Sequence, residues 1–471
     1  IILFSLAAVF SKENGALIPV YLLLIEWLVF RGTFAANHRT TWRFICALLI
    51  ALPLLIGTIG FALLWNRFSG GDAGLNYTIN ERLASQAVIV FQYISWILLP
   101  RLSDLSLFHD GVPVLNWGQT IAWLALLGHI LLLVFAFLIR RRLPIAAFGI
   151  GFFYAAHLME STIIPLEFVF EHRNYLALWG LLLAVVEFVR YSFVRFSAYQ
   201  SHNAGESPPI DIAKAGVVFA AVFIAILSFM TFQRTAIWSE KNEIVALAVQ
   251  NQPQSVRAKS LWASVLSRQG RYIDAIDHLQ SSSEQHPDQT GLSLQRIVYK
   301  CLYDPDNAIK ENDLESLRLK ISNTLPDEYV ANALGLLHTA VRDQTCAWFA
   351  GDELDDFISA ALINAESTVE RALLEVRGKV HLDNGRLQAA VDDFGQVYQA
   401  RRTKLRTQMR MLSNINYIFT LHCDVEQAEA TLDMMRQLDK SYKVNGVREI
   451  DIAETNINAC RAALKAQVAS N

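Results

Sequence analysis

Three short polar clusters stand out in the apolar first half of this 471-residue chain. Ser11-Lys12-Glu13-Asn14-Gly15 is a charged turn between two apolar runs. Lys12 could hold a phosphate as a point charge with Glu13 orienting it, or the turn is an ordinary loop with its own Lys–Glu neighbourhood. Glu167 with Glu171-His172-Arg173-Asn174-Tyr175 sets two acids, a titratable ring and a guanidinium fork at the start of one apolar run. Arginine's planar donors fit a phosphate bidentately, and the carboxylates could orient it or move protons. The plainer alternative is a solvated interfacial turn anchored by Tyr175. His157 and Glu160 share one helical face and would suit a metal, although two ligands fall short of a set.

These clusters need elements to hold them, and composition says which kind. With 53% hydrophobic and 18% charged residues and a mean hydropathy of +0.28, the chain is too apolar for an ordinary soluble protein. The excess lies before residue 235, in runs long enough to cross a hydrocarbon core as helices. Expected spans are 1–10, 15–30, 43–65, 119–139, 143–159, 174–190 and 213–233. The chain opens inside an apolar run without a methionine, which reads as a piece that has lost earlier spans.

Arg31, Arg39 and Arg43, then Arg140, Arg141 and Arg142, then Arg190, Arg195 and Lys214 follow or flank spans, and the positive-inside rule puts all three groups in the cytoplasm. That choice requires both ends of the apolar stretch 82–100 to share one side, so a re-entrant or interfacial helix is expected there, with Ser85, Gln86, Gln92, Tyr93 and Ser95 as its wetter positions. The three polar clusters then face outward, as does everything beyond the last span. Glu26 and Glu187 sit near cytoplasmic ends, where they snorkel or pair, Glu187 with Arg190. His129, mid-span, reads as a neutral interhelical hydrogen-bonding residue.

The expected domains are 1–237, a multi-span membrane domain, and 238–471, a mildly acidic soluble helical domain with no basic stripe for nucleic acid. Two segments of the second domain match the tetratricopeptide-repeat template. One carries Gly270, Tyr272, Ala275 and Pro287, with Pro253 one repeat length earlier. The other carries Gly378, Gly385, Leu387, Ala390 and Phe394, and a degenerate third surrounds Ala428 and Leu432. The fold class is therefore all-α: a polytopic transmembrane helix bundle followed by a soluble repeat solenoid, whose curved surface either binds partner proteins or caps the membrane domain. Five cysteines, Cys46, Cys301, Cys346, Cys423 and Cys460, show no CxxC pair and leave disulfide pairing open. Asn76-Tyr77-Thr78 matches a glycosylation acceptor. No glycine-rich phosphate loop, HExxH, nucleophile elbow or Cys/His framework is present.

Taken together, Ser11-Lys12-Glu13-x-Gly15, Tyr93 to Pro100, and Pro165-Leu166-Glu167 through Glu171-His172-Arg173-x-Tyr175, with a final span, Arg234…Trp238 and a repeat array, resemble the transmembrane-and-tetratricopeptide-repeat family of polyprenyl-sugar-dependent glycosyltransferases, especially its bacterial members. The resemblance covers nearly the whole chain. It implies a GT-C-type enzyme of the bacterial inner membrane with a periplasmic repeat domain, transferring sugar from a lipid-phosphate carrier to a protein or glycan acceptor. No other cofactor is implied, and a divalent metal stays a minor alternative. Carried over residue by residue, it points to Lys12, Glu13, Glu171, His172 and Arg173 as lining the lipid-phosphate site, with His157, Glu160 and Glu167 close by. Lys12 and Arg173 would neutralise the phosphate, and Glu13 and Glu171 would orient those cations. The family's acidic base belongs to an earlier external loop, so it is expected upstream of residue 1, none of Asp72, Glu81 and Asp110 is nominated, and the chain alone is expected to be inactive. The rivals are a membrane scaffold recruiting proteins through its repeats, which requires dispersed outer charges, and a polymerase or ligase of lipid-linked glycans, which requires an arginine-rich external loop.

Overall fold

The computed structural model describes residues 2–46, 58, 77–164, 167–203, 212–304, 311–346, 349, 352–400 and 403–470. Among them the chain is helical throughout, with no strand, and it divides into two compact units, Ile1–Ala258 and Lys259–Asn471. Composition changes near Trp238, but the structural division falls later, because Ser255 and the Arg257 amide are held by Asp110 of the first unit.

The first unit runs through α1 (Ile2–Ser11), α2 (Ile18–Leu24), α3 (Thr33–Asn37), α4 (Arg39–Cys46), α5 (Ile79–Leu98), α6 (Thr120–Ile139), α7 (Pro144–His157), α8 (Asn174–Asn203), α9 (Ile212–Ser239) and α10 (Lys241–Asn251). Three stretches are long and apolar enough to cross a membrane: Thr120–Ile139, Glu171–Phe196 and Gly216–Ser239. Asn14–Val29 and Pro144–His157 are apolar but shorter. None of the apolar window in Gly216–Ser239 is buried against protein; Val218, Phe219, Ile224 and Phe232 stand exposed. An apolar helix left bare in this way requires lipid or another apolar partner around it. Most of the expected span 43–65 lies outside the described residues.

Chain reversals at Arg140–Arg142 and between His157 and Asn174 make α6, α7 and α8 successive antiparallel neighbours. One end of the bundle therefore carries Arg140–Arg142 and, about 25 Å along α8 from Arg173, Arg190. The other end carries Glu160, Glu171 and Arg173. The α7–α8 contact is close because both helices present glycine: a β-carbon on Gly149 would lie 2.3 Å from the Gly180 carbonyl oxygen, and one on Gly180 2.5 Å from that of Gly149. Small residues at such crossings let backbones approach where there is no side chain to separate them.

Several polar residues within these helices are held by specific partners. Glu187 holds Arg190 in a two-pronged pair at 2.7 Å, and buried Glu26 accepts the Ala35 amide. His129 donates from Nε2 to the Ala87 carbonyl at 2.7 Å, which leaves Nδ1 to accept from the Tyr154 hydroxyl at 2.8 Å. The neutral ring thus links α5, α6 and α7.

α11 (Val256–Arg268) leads into α12 (Tyr272–Gln285), α13 (Thr290–Tyr303), α14 (Glu311–Ser322), α15 (Glu328–Arg342), α16 (Glu353–Leu362), α17 (Ser367–Asp383), α18 (Leu387–Gln399), α19 (Leu405–Leu421), α20 (Val425–Tyr442) and α21 (Val447–Ser470). One turn recurs between paired helices. Gly270, Gly385 and Cys423 adopt φ of +76°, +72° and +49°, and the next amide in each case returns to a carbonyl of the preceding helix: Arg271 to Leu266, Arg386 to His381, Asp424 to Phe419. This is the left-handed termination that glycine accommodates most easily. Ala275, Ala390 and Ala428 then bury fully beside Leu279, Phe394 and Leu432.

Gly378 within α17 and Gly385 in the turn after it separate conformational from packing effects. Nothing lies within 4 Å of a β-carbon placed on Gly385, so Gly385→Ala is expected to destabilise by about 1 kcal/mol through backbone conformation alone. A β-carbon on Gly378 would sit 2.6 Å from the Phe394 ring. Because that ring is buried, Gly378→Ala should cost more, about 2–3 kcal/mol of overpacking. Urea unfolding of the two variants beside the parent checks the order.

Candidate functional site

The segment joining α7 to α8 is fixed by α5. A capping box starts that helix: Thr78 Oγ1 accepts the Glu81 amide, and Glu81 Oε2 accepts the Thr78 amide at 2.8 Å. Arg82, 1% exposed, donates to the carbonyls of Glu160 and Thr162 at 2.8 Å each. Gln86 donates to the Phe168 carbonyl, and the Tyr93 hydroxyl accepts the Phe170 amide at 3.1 Å. Ser85 accepts the Leu115 amide at 2.8 Å. Of the positions expected to be wet, Gln92 and Ser95 are exposed, whereas Ser85, Gln86 and Tyr93 are buried. The reason is that their polar groups satisfy loop backbone, which otherwise would be buried without partners.

Two charged centres result, both within the first unit. In the first, Glu160 receives the Asn14 amide at 2.8 Å and Arg173 Nε at 3.1 Å. Arg173 Nη1 also donates to the Glu167 and Phe168 carbonyls. The turn containing Lys12 and the turn containing Arg173 thus meet through one carboxylate. Glu13 opens the 3₁₀ turn Glu13–Leu17, and Lys12 itself is exposed. His157 is buried, its ring stacked on Tyr93 at 5.1 Å and edge-on to Phe153 at 4.8 Å. Both Glu160 oxygens are engaged, Oε1 by Asn14 and Oε2 by Arg173.

The second centre lies where α8 begins and α9 ends. Glu171 accepts from Arg234 Nη2 at 2.7 Å and faces His109 Nε2 at 3.2 Å. Arg234 Nη1 donates to the Leu105 carbonyl at 3.0 Å, and the guanidinium lies 5.9 Å from the Trp238 ring centre. His109 in turn packs on Trp96 at 5.2 Å. This centre closes one end of a cavity of about 700 Å³. Leu178 and Leu182 of α8, Phe223 and Leu227 of α9 and Ile97 of α5 form its apolar walls, while His172, Asn174 and Tyr175 complete the polar end. An apolar cavity whose polar lining is a guanidinium paired with a carboxylate, two imidazoles and an amide suits an amphiphile with a polar, anionic head.

The nominated residues fall into two separate groups of contacts. Glu160, not Glu171, pairs with Arg173, a buried residue whose Nε and Nη1 are engaged by Glu160 and the loop carbonyls; it is not among the residues lining the cavity. Glu171 and His172 do line the cavity. Glu167 is exposed and pairs with Arg257 at 3.5 Å. Arg234 was noted only as the exit of the last span and His109 not at all; no local pattern marks either, since each reaches Glu171 from more than sixty residues away. Of the three acids not nominated as the base, Glu81 caps α5, Asp110 accepts Ser255 Oγ and the Arg257 amide at the start of α11, and Asp72 is outside the described residues.

No family model matches the chain, and neither a curated protein nor a solved structure gives a significant match.

Proposed function

We propose that this chain is an integral membrane glycosyltransferase of the transmembrane-and-tetratricopeptide-repeat type, using a sugar carried on a polyprenyl phosphate at the periplasmic face of a bacterial inner membrane. The observation that carries the reading is the cavity between α8 and α9: apolar along its walls and closed by Arg234, Glu171 and His109. A lipid chain would lie along Leu178, Leu182, Phe223 and Leu227, and its phosphate would meet Arg234. Arg234 Nε is engaged by no described residue, while Glu171 holds the guanidinium in place.

Clustering of the outer-end charges supports the transferase over a purely recruiting scaffold, which requires them to be scattered. The repeated Gly270, Gly385 and Cys423 turns support a tetratricopeptide-like array in the second unit, whose role in this reading is to present a protein acceptor. Both ends of α5 are tied to the α7–α8 connection, through Arg82 at one end and Tyr93 at the other. That supports a helix whose ends share the outer side.

The test is photo-crosslinking of the full chain in membranes with a polyprenyl phosphate bearing a diazirine in its first isoprene units. Labelled peptides spanning Leu178–Leu182 and Phe223–Leu227 are expected. Label spread over the outward faces of α6 and α9 alone would remove the basis for the proposal.

A further inference from the structure

The second unit holds four of the chain's five cysteines, and the structure joins them as Cys301–Cys346 and Cys423–Cys460, with Cα–Cα distances of 5.0 and 5.2 Å. Those separations fall within the range a disulfide spans without backbone movement. Each bond ties elements that are not chain neighbours. Cys301, in the last turn of α13, is fastened to the segment just beyond α15; Cys423, in the turn between α19 and α20, is fastened to α21. Cys301 and Cys346 are fully buried and Cys460 nearly so.

Cys423 adds a separate observation. It occupies the left-handed turn position that Gly270 and Gly385 fill in the other two repeats. A residue with a β-carbon is disfavoured there, and cysteine has no side-chain amide or carboxylate to offset the strain as asparagine or aspartate would. What its side chain supplies is a sulfur in reach of Cys460.

We infer that the helical unit is an oxidatively matured structure: both pairs are closed as permanent structural disulfides, in a compartment that supplies a disulfide oxidant. For each pair, two thiols lose two protons and two electrons, one S–S bond forms, and the disulfide of a thiol–disulfide oxidoreductase is reduced to a dithiol. Such bonds form and persist outside the reducing cytosol. The inference uses no residue of the cavity and stands whether or not the chain transfers sugar. It places the second unit outside the cytoplasm on grounds independent of arginine distribution. Of the five cysteines in the sequence, Cys46 is the one that belongs to neither pair.

The test uses the full chain, made in a bacterium with an oxidising periplasm and purified in detergent without reductant. Free thiols are blocked with one maleimide under denaturing conditions, then the protein is reduced and labelled with a heavier one. Block at Cys46 alone is expected, with heavy label on the other four and unreduced peptides pairing 301 with 346 and 423 with 460. Five thiols blocked at the first step, or other pairings, would overturn the inference. Reductant should also lower the melting temperature of the helical unit by about 10 °C, and a Cys301→Ala/Cys346→Ala/Cys423→Gly/Cys460→Ala variant should lose that response. Melting of the parent unmoved by reductant would show that the bonds are not structural.

Discussion

Glu160→Ala is expected to be the most damaging single change at the end of the first unit that carries Glu160, Glu171 and Arg173, lowering stability by about 3–5 kcal/mol. Arg173 has a side chain only 3% exposed, and Glu160 is its one carboxylate partner among the described residues. Removing that carboxylate leaves a desolvated guanidinium with two backbone carbonyls, and it also frees Asn14, so the α1–α2 turn loses its hold on the α7–α8 connection. Glu160→Gln retains one acceptor oxygen, enough for Asn14 or Arg173 but not for both on separate atoms, and no charge, so it should cost less than Glu160→Ala but remain clearly destabilising. Thermal unfolding in detergent, read by near-ultraviolet circular dichroism, gives both values. A Glu160→Ala protein that melts within a degree or two of the parent would mean that this pair does not organise the site.

Arg234→Ala should instead leave folding nearly intact and weaken binding of a lipid phosphate by about 10- to 100-fold, the worth of one or two charge-assisted hydrogen bonds. Among the described residues Arg234 is the one guanidinium or ammonium lining the cavity, and it is a quarter exposed, so its loss strands less charge than the loss of Glu160 does. Arg234→Lys keeps the charge without the planar fork and should fall between the two. Arg173 makes no part of the cavity wall, so the folded fraction of Arg173→Met should bind as the parent does. Equal loss in both arginine variants would point to general misfolding of the outer end.

The contrast between those two arginines shows where sequence reasoning reaches its limit. The run Glu171-His172-Arg173 announced a charged site, and its place at the head of an apolar run announced the end of the bundle. Which way each side chain turns was not legible. Glu171 and Arg173 share a single 3₁₀ turn yet face different partners, Glu171 toward α9 and Arg173 inward to Glu160. Only the packing of α7, α8 and α9 decides that.

The polar positions of α5 carry a similar lesson. Residue type marked Ser85, Gln86 and Tyr93 as wet, but a polar side chain meets either water or unsatisfied backbone, and here all three are buried against the backbone of two loops. The glycine turns of the second unit were readable because a left-handed turn has few residue solutions, and for that reason Cys423 in the same turn was the position the template missed. Cysteine spacing gave no pairing, since stacking of helices, not separation along the chain, brings Cys301 to Cys346 and Cys423 to Cys460.

The central claim is that the cavity between α8 and α9 receives a phosphate-bearing lipid. Its most direct test is equilibrium binding of a radiolabelled polyprenyl phosphate to the full chain in nanodiscs, with the matching polyprenol as competitor and Arg234→Ala as the control protein. Saturable binding of the phosphate, resistance to the alcohol, and at least a tenfold weaker Kd for Arg234→Ala are expected. Equal competition by the alcohol, or an unchanged Kd in the variant, would contradict the claim.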